Sequence, residues 1–316
     1  MILSVSRRTD IPSFYLEWFM NRLKEGFVLV RNPVNYHQVS RIPLSPSLID
    51  CIVFWTKNAD PLLPYIAQIR KQYALYFQYT INAYGKDIEP CLPALANKIN
   101  SFNALSDQIG HQAVIWRYDP ILLTEKYSTD WHIDRFHHIA KSLHGKTDTC
   151  VFGFIDIYDK IKNQIKSQNI TACSEKEMDT LASAFSQIAA RYNISLRTCA
   201  ETLHLEKYGI AHGCCIDGEL ISRLTGWTMK AKKDPNQRAE CGCMEIVDIG
   251  QYNTCRHGCR YCYANLSPQS DFAFSSRHNP RSPFLIGGAE ASDRFVDRKM
   301  KSLKDENVRL EQVSMF

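Results

Sequence analysis

The sequence contains no apolar run approaching the roughly 18 residues that a membrane span needs, so no membrane partner is expected. Its first residues, Met1-Ile2-Leu3-Ser4-Val5-Ser6-Arg7-Arg8, lack the charged-then-apolar layout of a secretory signal, and the chain is read as cytoplasmic. No glycine-rich phosphate loop follows any apolar run, which weighs against a nucleotide-binding open sheet. Charge of one sign is scarce as well. Thirty-eight basic residues stand against 33 acidic ones, a net +5 over 316 residues. That excess permits an anionic partner without demanding one. With 45% hydrophobic and 22% charged residues, disorder and collagen-like repetition are excluded.

What the chain has in excess is cysteine. There are 12, and seven of them (Cys214, Cys215, Cys241, Cys243, Cys255, Cys259, Cys262) fall within residues 214–262. In a large chain without an export signal, clustered cysteines point to metal binding or redox chemistry rather than to a disulfide framework. Cys51, Cys91, Cys150 and Cys173 are scattered and read as core or ordinary free thiols.

The first two thirds alternate between two patterns. Ile2–Val5, Phe27–Val30, Cys51–Trp55, Ala74–Ile81, Ala113–Trp116, Cys150–Ile155 and Ile194–Thr198 are short apolar runs of the kind that parallel sheets bury on both faces. Phe14–Lys24, Leu62–Lys71, Trp131–Leu143 and Glu175–Tyr192 have helical spacing, with Gly26 as a stop for the first, and Leu205–Gly226 holds one more helix. This rhythm predicts an α/β fold that resembles a TIM barrel, complete or partial, with an open doubly wound sheet as runner-up. Residues 1–250 form the barrel-like domain, and residues 251–316 are a Cys-rich region that closes it.

Six polar sets follow these apolar runs: Ser6-Arg7-Arg8-Thr9-Asp10, Thr56-Lys57-Asn58, Thr80-Ile81-Asn82, Arg117-Tyr118-Asp119, Asp156-Ile157-Tyr158 and Cys199-Ala200-Glu201. The C-terminal strand ends of a parallel barrel ring one face, which is where such folds place their sites. Lys57, Arg117, Asp119 and Asp156 are the candidates for substrate contact and catalysis.

The most specific motif is Cys255-Arg256-His257-Gly258-Cys259-Arg260-Tyr261-Cys262. Three thiolates at C-x3-C-x2-C can hold three irons of a [4Fe–4S] cube and leave the fourth open. Zinc, which favours four ligands, is the lesser alternative. The motif, with an aromatic before its last cysteine, resembles the signature of the radical S-adenosylmethionine enzymes. That resemblance implies an open iron chelating S-adenosylmethionine. It also implies a 5′-deoxyadenosyl radical that takes hydrogen from a substrate, and an external flavodoxin- or ferredoxin-type electron donor. More narrowly, the whole chain resembles an uncharacterised bacterial family with such a cluster near its C-terminus. The likeness runs through Ser6–Pro12, Phe54–Asn58, Trp116–Pro120 and Tyr261–Asn265.

In the wider superfamily the cysteine loop follows the first barrel strand. Here it follows Met244–Ile249, late in the chain. A circular permutation that sets Met244–Ile249 beside Ile2–Val5 reconciles the two. It would bring Arg7, Arg8 and Asp10 next to the loop as cofactor contacts, joined by Asn58 and Tyr261.

A second set precedes the loop. Cys199, Cys215, Cys241 and Cys243 would supply four thiolates, enough for an auxiliary [4Fe–4S] cluster or a structural zinc. Cys214 is the alternative to Cys215. Gly287–Glu290 reads as a turn, His257 as surface or loop packing, and Ser292–Phe316 as a solvated terminal helix. Two other functions stay open: an iron–sulfur electron carrier or redox sensor that never cleaves S-adenosylmethionine, and a zinc-stabilised protein that binds nucleic acid, with DNA-lesion repair included.

Overall fold

The computed structural model describes every residue except 200, 202, 231, 236, 239, 266–275 and 310–316. Its strands are β1 (Ile2–Val5), β2 (Phe27–Arg31), β3 (Gln38–Pro43), β4 (Cys51–Thr56), β5 (Leu75–Thr80), β6 (Val114–Ile121) and β7 (Thr149–Phe154), followed by β8 (Ser195–Thr198), β9 (Ala211–His212), β10 (Trp227–Met229), β11 (Ile246–Asp248), β12 (Arg294–Asp297) and β13 (Lys304–Arg309). The helices are α1 (Ile11–Phe14), α2 (Leu16–Glu25), α3 (Ile66–Arg70), α4 (Leu95–Ile109), α5 (Thr129–Ser142), α6 (Lys162–Ser167), α7 (Glu175–Arg191) and α8 (Gly218–Thr225).

Eight strands join one sheet in the order β11-β1-β4-β5-β6-β7-β8-β9, and every pairing is parallel. The spatial order follows the chain except at one end, where the late strand β11 lies outside β1. Ile2 pairs with Ile246 on one side and with Cys51 on the other. The juxtaposition expected of a permutation is therefore present. Asp248, at the end of β11, locks it by accepting from Ser4 Oγ (2.8 Å), Ser6 Oγ (2.6 Å) and the Arg7 amide (2.8 Å). Strands β9 and β11 are the two edges. No ladder joins them among the described residues, and the architecture is an eight-stranded parallel α/β sheet.

The two-residue period of a strand divides the buried side chains between two cores. Leu3, Val5, Ile52, Phe54, Phe77, Trp116 and Phe152 pack with the helices, among them Trp18, Phe19, Phe102, Phe136 and Phe185. Ile2, Cys51, Val53, Tyr76, Ile115 and Val151 face the other way. They pack against Leu220 and Ile221 of α8 and against Cys215, Cys241 and Cys243. Covering both faces is what makes the strand sequences continuously apolar.

Several elements differ from the sequence reading. Strand β6 runs five residues past Trp116, to Ile121. Helix α4 is an element that reading lacks, although Leu95, Ile99, Phe102 and Leu105 carry its helical spacing. Leu62–Lys71 is only partly helical: a single 3-10 turn precedes the five-residue α3. The tail is not a helix. Its alternating Arg294-Phe295-Val296-Asp297 adds β12 in parallel to β3, and β13 pairs with β10. Residues 310–316 of that tail lie outside the described residues.

Candidate metal and substrate site

The cysteine loop leaves β11 through Gly250 and is pinned on several sides. Gly250 approaches β1 so closely that a Cβ there would lie 2.0 Å from Ser6 Oγ. Tyr15 donates to Thr254 O (2.5 Å), Asn265 to Cys255 O (2.6 Å) and the Cys91 amide to His257 O (3.2 Å). Gly258 turns the loop at φ +67°, a conformation costly for side chains with a Cβ. His257 is buried, and its Nε2 lies 2.8 Å from Asp10. It thus packs inside the loop, not at its surface.

Asp10 works as a junction. Its carboxylate also accepts from Thr56 Oγ1 and from the amides of Lys57 (2.8 Å) and Ser13 (3.0 Å). Four protein donors occupy both oxygens, so Asp10 positions the loop, and it also lines the smaller cavity described below. Asn58 lines neither cavity described below; its side chain accepts from the Asp60 amide in the turn after β4.

Arg7 does offer itself. Its guanidinium stacks 5.0 Å over the Trp55 ring, while its Nε and Nη2 are buried without a partner. Burial disfavours its charge, but Cys243, Cys215 and Asp248 outweigh that and hold the guanidinium protonated. Unpaired buried donors are costly, so such a group marks a place for an acceptor. Arg8 is half-buried beside Tyr252 and Gly250 O.

Two cavities meet at Arg7. The smaller, of about 140 Å³, is bounded by Cys255, Cys259, Cys262, His257 and Arg7. Three thiols and an unpaired guanidinium around one space fit a thiolate-held cluster with an anionic ligand beside it. The larger, of about 350 Å³, lies over the strand ends and takes in Trp55, Lys57, Arg117, Asp119, Asp156 and Tyr261. The structure thus brings together every substrate candidate named from sequence. The second cysteine set lines this cavity too.

Charges in the larger cavity come paired. Arg117 bonds Asp119 and also donates to Cys215 Sγ at 2.7 Å. Asp156 pairs with Arg238 at 2.8 Å. Lys57 lies 3.1 Å from Glu89 and donates to Tyr261 Oη at 2.8 Å. Glu89 is buried, which alone would raise its pKa, but Lys57 and Lys98 hold it down at about 2. Burial pushes the Glu201 carboxyl in the same cavity up to about 7, with Asp156 and Asp119 adding to the rise. Glu89, Lys98, Asp248 and Glu201 are site-building residues absent from the candidates. Their partners come from distant segments, which leaves no local pattern to read.

No helix among the described residues is long and apolar enough to cross a membrane. No curated protein matches the chain in sequence. A solved structure, a putative alpha-L-fucosidase from Bacteroides thetaiotaomicron VPI-5482, aligns at 13% identity and a TM-score of 0.25. That alignment takes in 50% of this chain and 64% of the other, and at this level it bears on neither site nor activity. A family model does match, over residues 2–264, from β1 through the last cysteine of the loop; the chain belongs to the family described as a domain of unknown function, DUF1848.

Proposed function

We propose that the protein is a radical S-adenosylmethionine-type enzyme. The observation that carries this reading is the place of the cysteine loop. It follows β11, the outermost strand of a parallel sheet whose other strands run in chain order, and it opens onto a cavity over the strand ends. Cys255, Cys259 and Cys262 would hold a [4Fe–4S] cluster. When bound, that cluster supplies the electron that splits S-adenosylmethionine and yields a radical able to take hydrogen from carbon.

The chain's own residues bind and orient. Arg7 supplies a planar pair of donors suited to the cofactor carboxylate. Its contact with Trp55 fixes the guanidinium before any ligand arrives, which lowers the ordering cost. Lys57 and Tyr261 are tied to the buried Glu89, so the wall between the two cavities is rigid. Arg117, Asp119 and Asp156 present both charge signs to the larger cavity, which suits a polar substrate. An external one-electron donor of flavodoxin or ferredoxin type completes the reading.

The test is anaerobic. Protein reconstituted with iron and sulfide, then given dithionite and S-adenosylmethionine, should release 5′-deoxyadenosine by mass spectrometry. The C255A/C259A/C262A variant should release none. A loaded wild-type protein that yields no product would instead support an iron–sulfur electron carrier or sensor.

A further inference from the structure

Four thiols outside the three-cysteine loop converge from three segments. Cys199 follows β8, Cys215 precedes α8, and Cys241 and Cys243 precede β11. The Sγ atoms of Cys199, Cys241 and Cys243 all lie within 4.8 Å of one another. Cys215 lies outside that compact group and neighbours Cys199 and Cys243. Three of the four cysteines are buried, and Cys199 is half-buried.

The spacing decides what such a set can hold. A tetrahedral ion with metal–sulfur bonds of 2.3 Å sets its ligand sulfurs about 3.8 Å apart. In a [4Fe–4S] cube each thiolate caps a different iron, so the sulfurs stand apart by more than the breadth of the cube. The crowding of Cys199, Cys241 and Cys243 matches the first case, with Cys215 as the neighbouring fourth vertex. The loop thiols Cys255, Cys259 and Cys262 form no such compact group among the described residues, as ligands of a cube should not.

We propose that Cys199, Cys215, Cys241 and Cys243 bind one zinc ion in a closed tetrahedral site. This assignment is independent of what the loop holds. On binding, each thiol releases its proton to solvent and the sulfur donates its pair to the metal. Four thiolates around a divalent ion leave two negative charges, and the guanidiniums of Arg7 and Arg117 lie beside them to balance these. Two N–H groups also point at the sulfurs: Ile216 N reaches Cys243 Sγ at 3.4 Å, and Arg117 Nη1 reaches Cys215 Sγ at 2.7 Å. Contacts of this kind orient thiolate ligands and tune their basicity. Tyr76 and Gln78 of β5 both donate to Cys215 O, at 2.7 and 2.8 Å, so the ligand turn is anchored to the sheet.

With four protein ligands, no position remains for a substrate or water. The ion acts as a staple. It joins the end of β8, the turn before α8 and the approach to β11 into one wall of the larger cavity.

The test counts and identifies metal in the purified full chain. Elemental analysis should find one zinc per chain in wild type, retained in C255A/C259A/C262A and in C214S. C241S/C243S should lose it. X-ray absorption at the zinc edge of wild-type protein should show four sulfurs at about 2.3 Å, a readout that does not depend on any variant folding. Two results would overturn the assignment. One is about eight irons per chain with no zinc after anaerobic reconstitution, meaning a second cluster. The other is zinc bound by a mixed nitrogen, oxygen and sulfur shell, or zinc that departs with the loop cysteines.

Discussion

The imidazole Nε2 of His257 donates to the Asp10 carboxylate across 2.8 Å, joining residues 247 positions apart. The cysteine loop is thereby fastened to the turn after β1. Asp10→Ala would orphan His257 Nε2 and the Lys57 and Ser13 amides at once, each worth about 1–3 kcal/mol when left unsatisfied, while Thr56 Oγ1 keeps Asn58 O at 2.9 Å. Urea unfolding should show a loss of at least 3 kcal/mol, and reconstituted iron should fall sharply. His257→Ala should cost less stability yet still reduce iron. Wild-type iron content in both variants would detach this contact from the loop's metal binding.

The two adjacent arginines should behave differently. Arg7→Lys keeps the charge but loses the two-pronged donor, so S-adenosylmethionine should bind about 10- to 100-fold more weakly, as expected for charge-assisted hydrogen bonds. Arg8→Ala removes a half-buried group that already has Tyr252 and Gly250 O for company, and should change affinity less than about threefold. Titration of the iron-loaded protein distinguishes them. Equal effects would remove the special role of Arg7.

Buried groups with displaced pKa values should tie the stability of the fold to pH. His132 is buried between Tyr118 Oη and Leu122 O, and burial lowers its pKa from 6.5 to about 4. The unfolded chain binds that proton first, so the His132 contribution falls as pH drops from 6.5 toward 4, by about 3 kcal/mol in all. Glu201, raised to about 7, acts the other way and gains stability as pH falls from 7 toward 4.5. Glu89 is held at about 2 against 4.5 for a free side chain. Its contribution is present above pH 4.5 and is lost as pH falls toward 2. In urea melts taken across pH, His132→Gln should leave stability rising as pH falls from 7 toward 4.5, and Glu89→Gln should flatten the window below 4.5. Glu89→Gln should also lose about 3–5 kcal/mol near neutrality, since Lys57 and Lys98 would then face no carboxylate.

Gly250→Ala tests the seam between the first and last strands of the sheet. Its Cβ would sit 2.0 Å from Ser6 Oγ and 2.6 Å from Ser6 Cβ, so backbone must move. A destabilisation of about 1–3 kcal/mol is expected, together with loss of loop metal. A variant with wild-type stability and metal content would mean that the seam yields freely.

Strands β1, β4, β5, β6 and β7 are legible because two-sided burial writes unbroken apolar runs into the sequence. The tail is not. Arg294-Phe295-Val296-Asp297 forms a strand because the exposed edge of β3 is there to receive it, and its charges say only that it is solvated. That Cys255, Cys259 and Cys262 share one cavity is legible because their spacing is local. The buried Glu89–Lys57–Lys98 cluster is not, because its partners converge only in the folded chain. The place of Asp10 beside the loop is legible, but its network of donors is not. Counting its four donors requires the fold.

Because β11 is made after the other seven strands of its sheet, a chain growing on the ribosome carries β1 with one edge unpaired until about residue 248 has emerged. The three-cysteine loop follows later still, so any metal it holds would be delivered only after residue 262 has emerged. Until then, the waiting edge is where a holding chaperone would have most to protect.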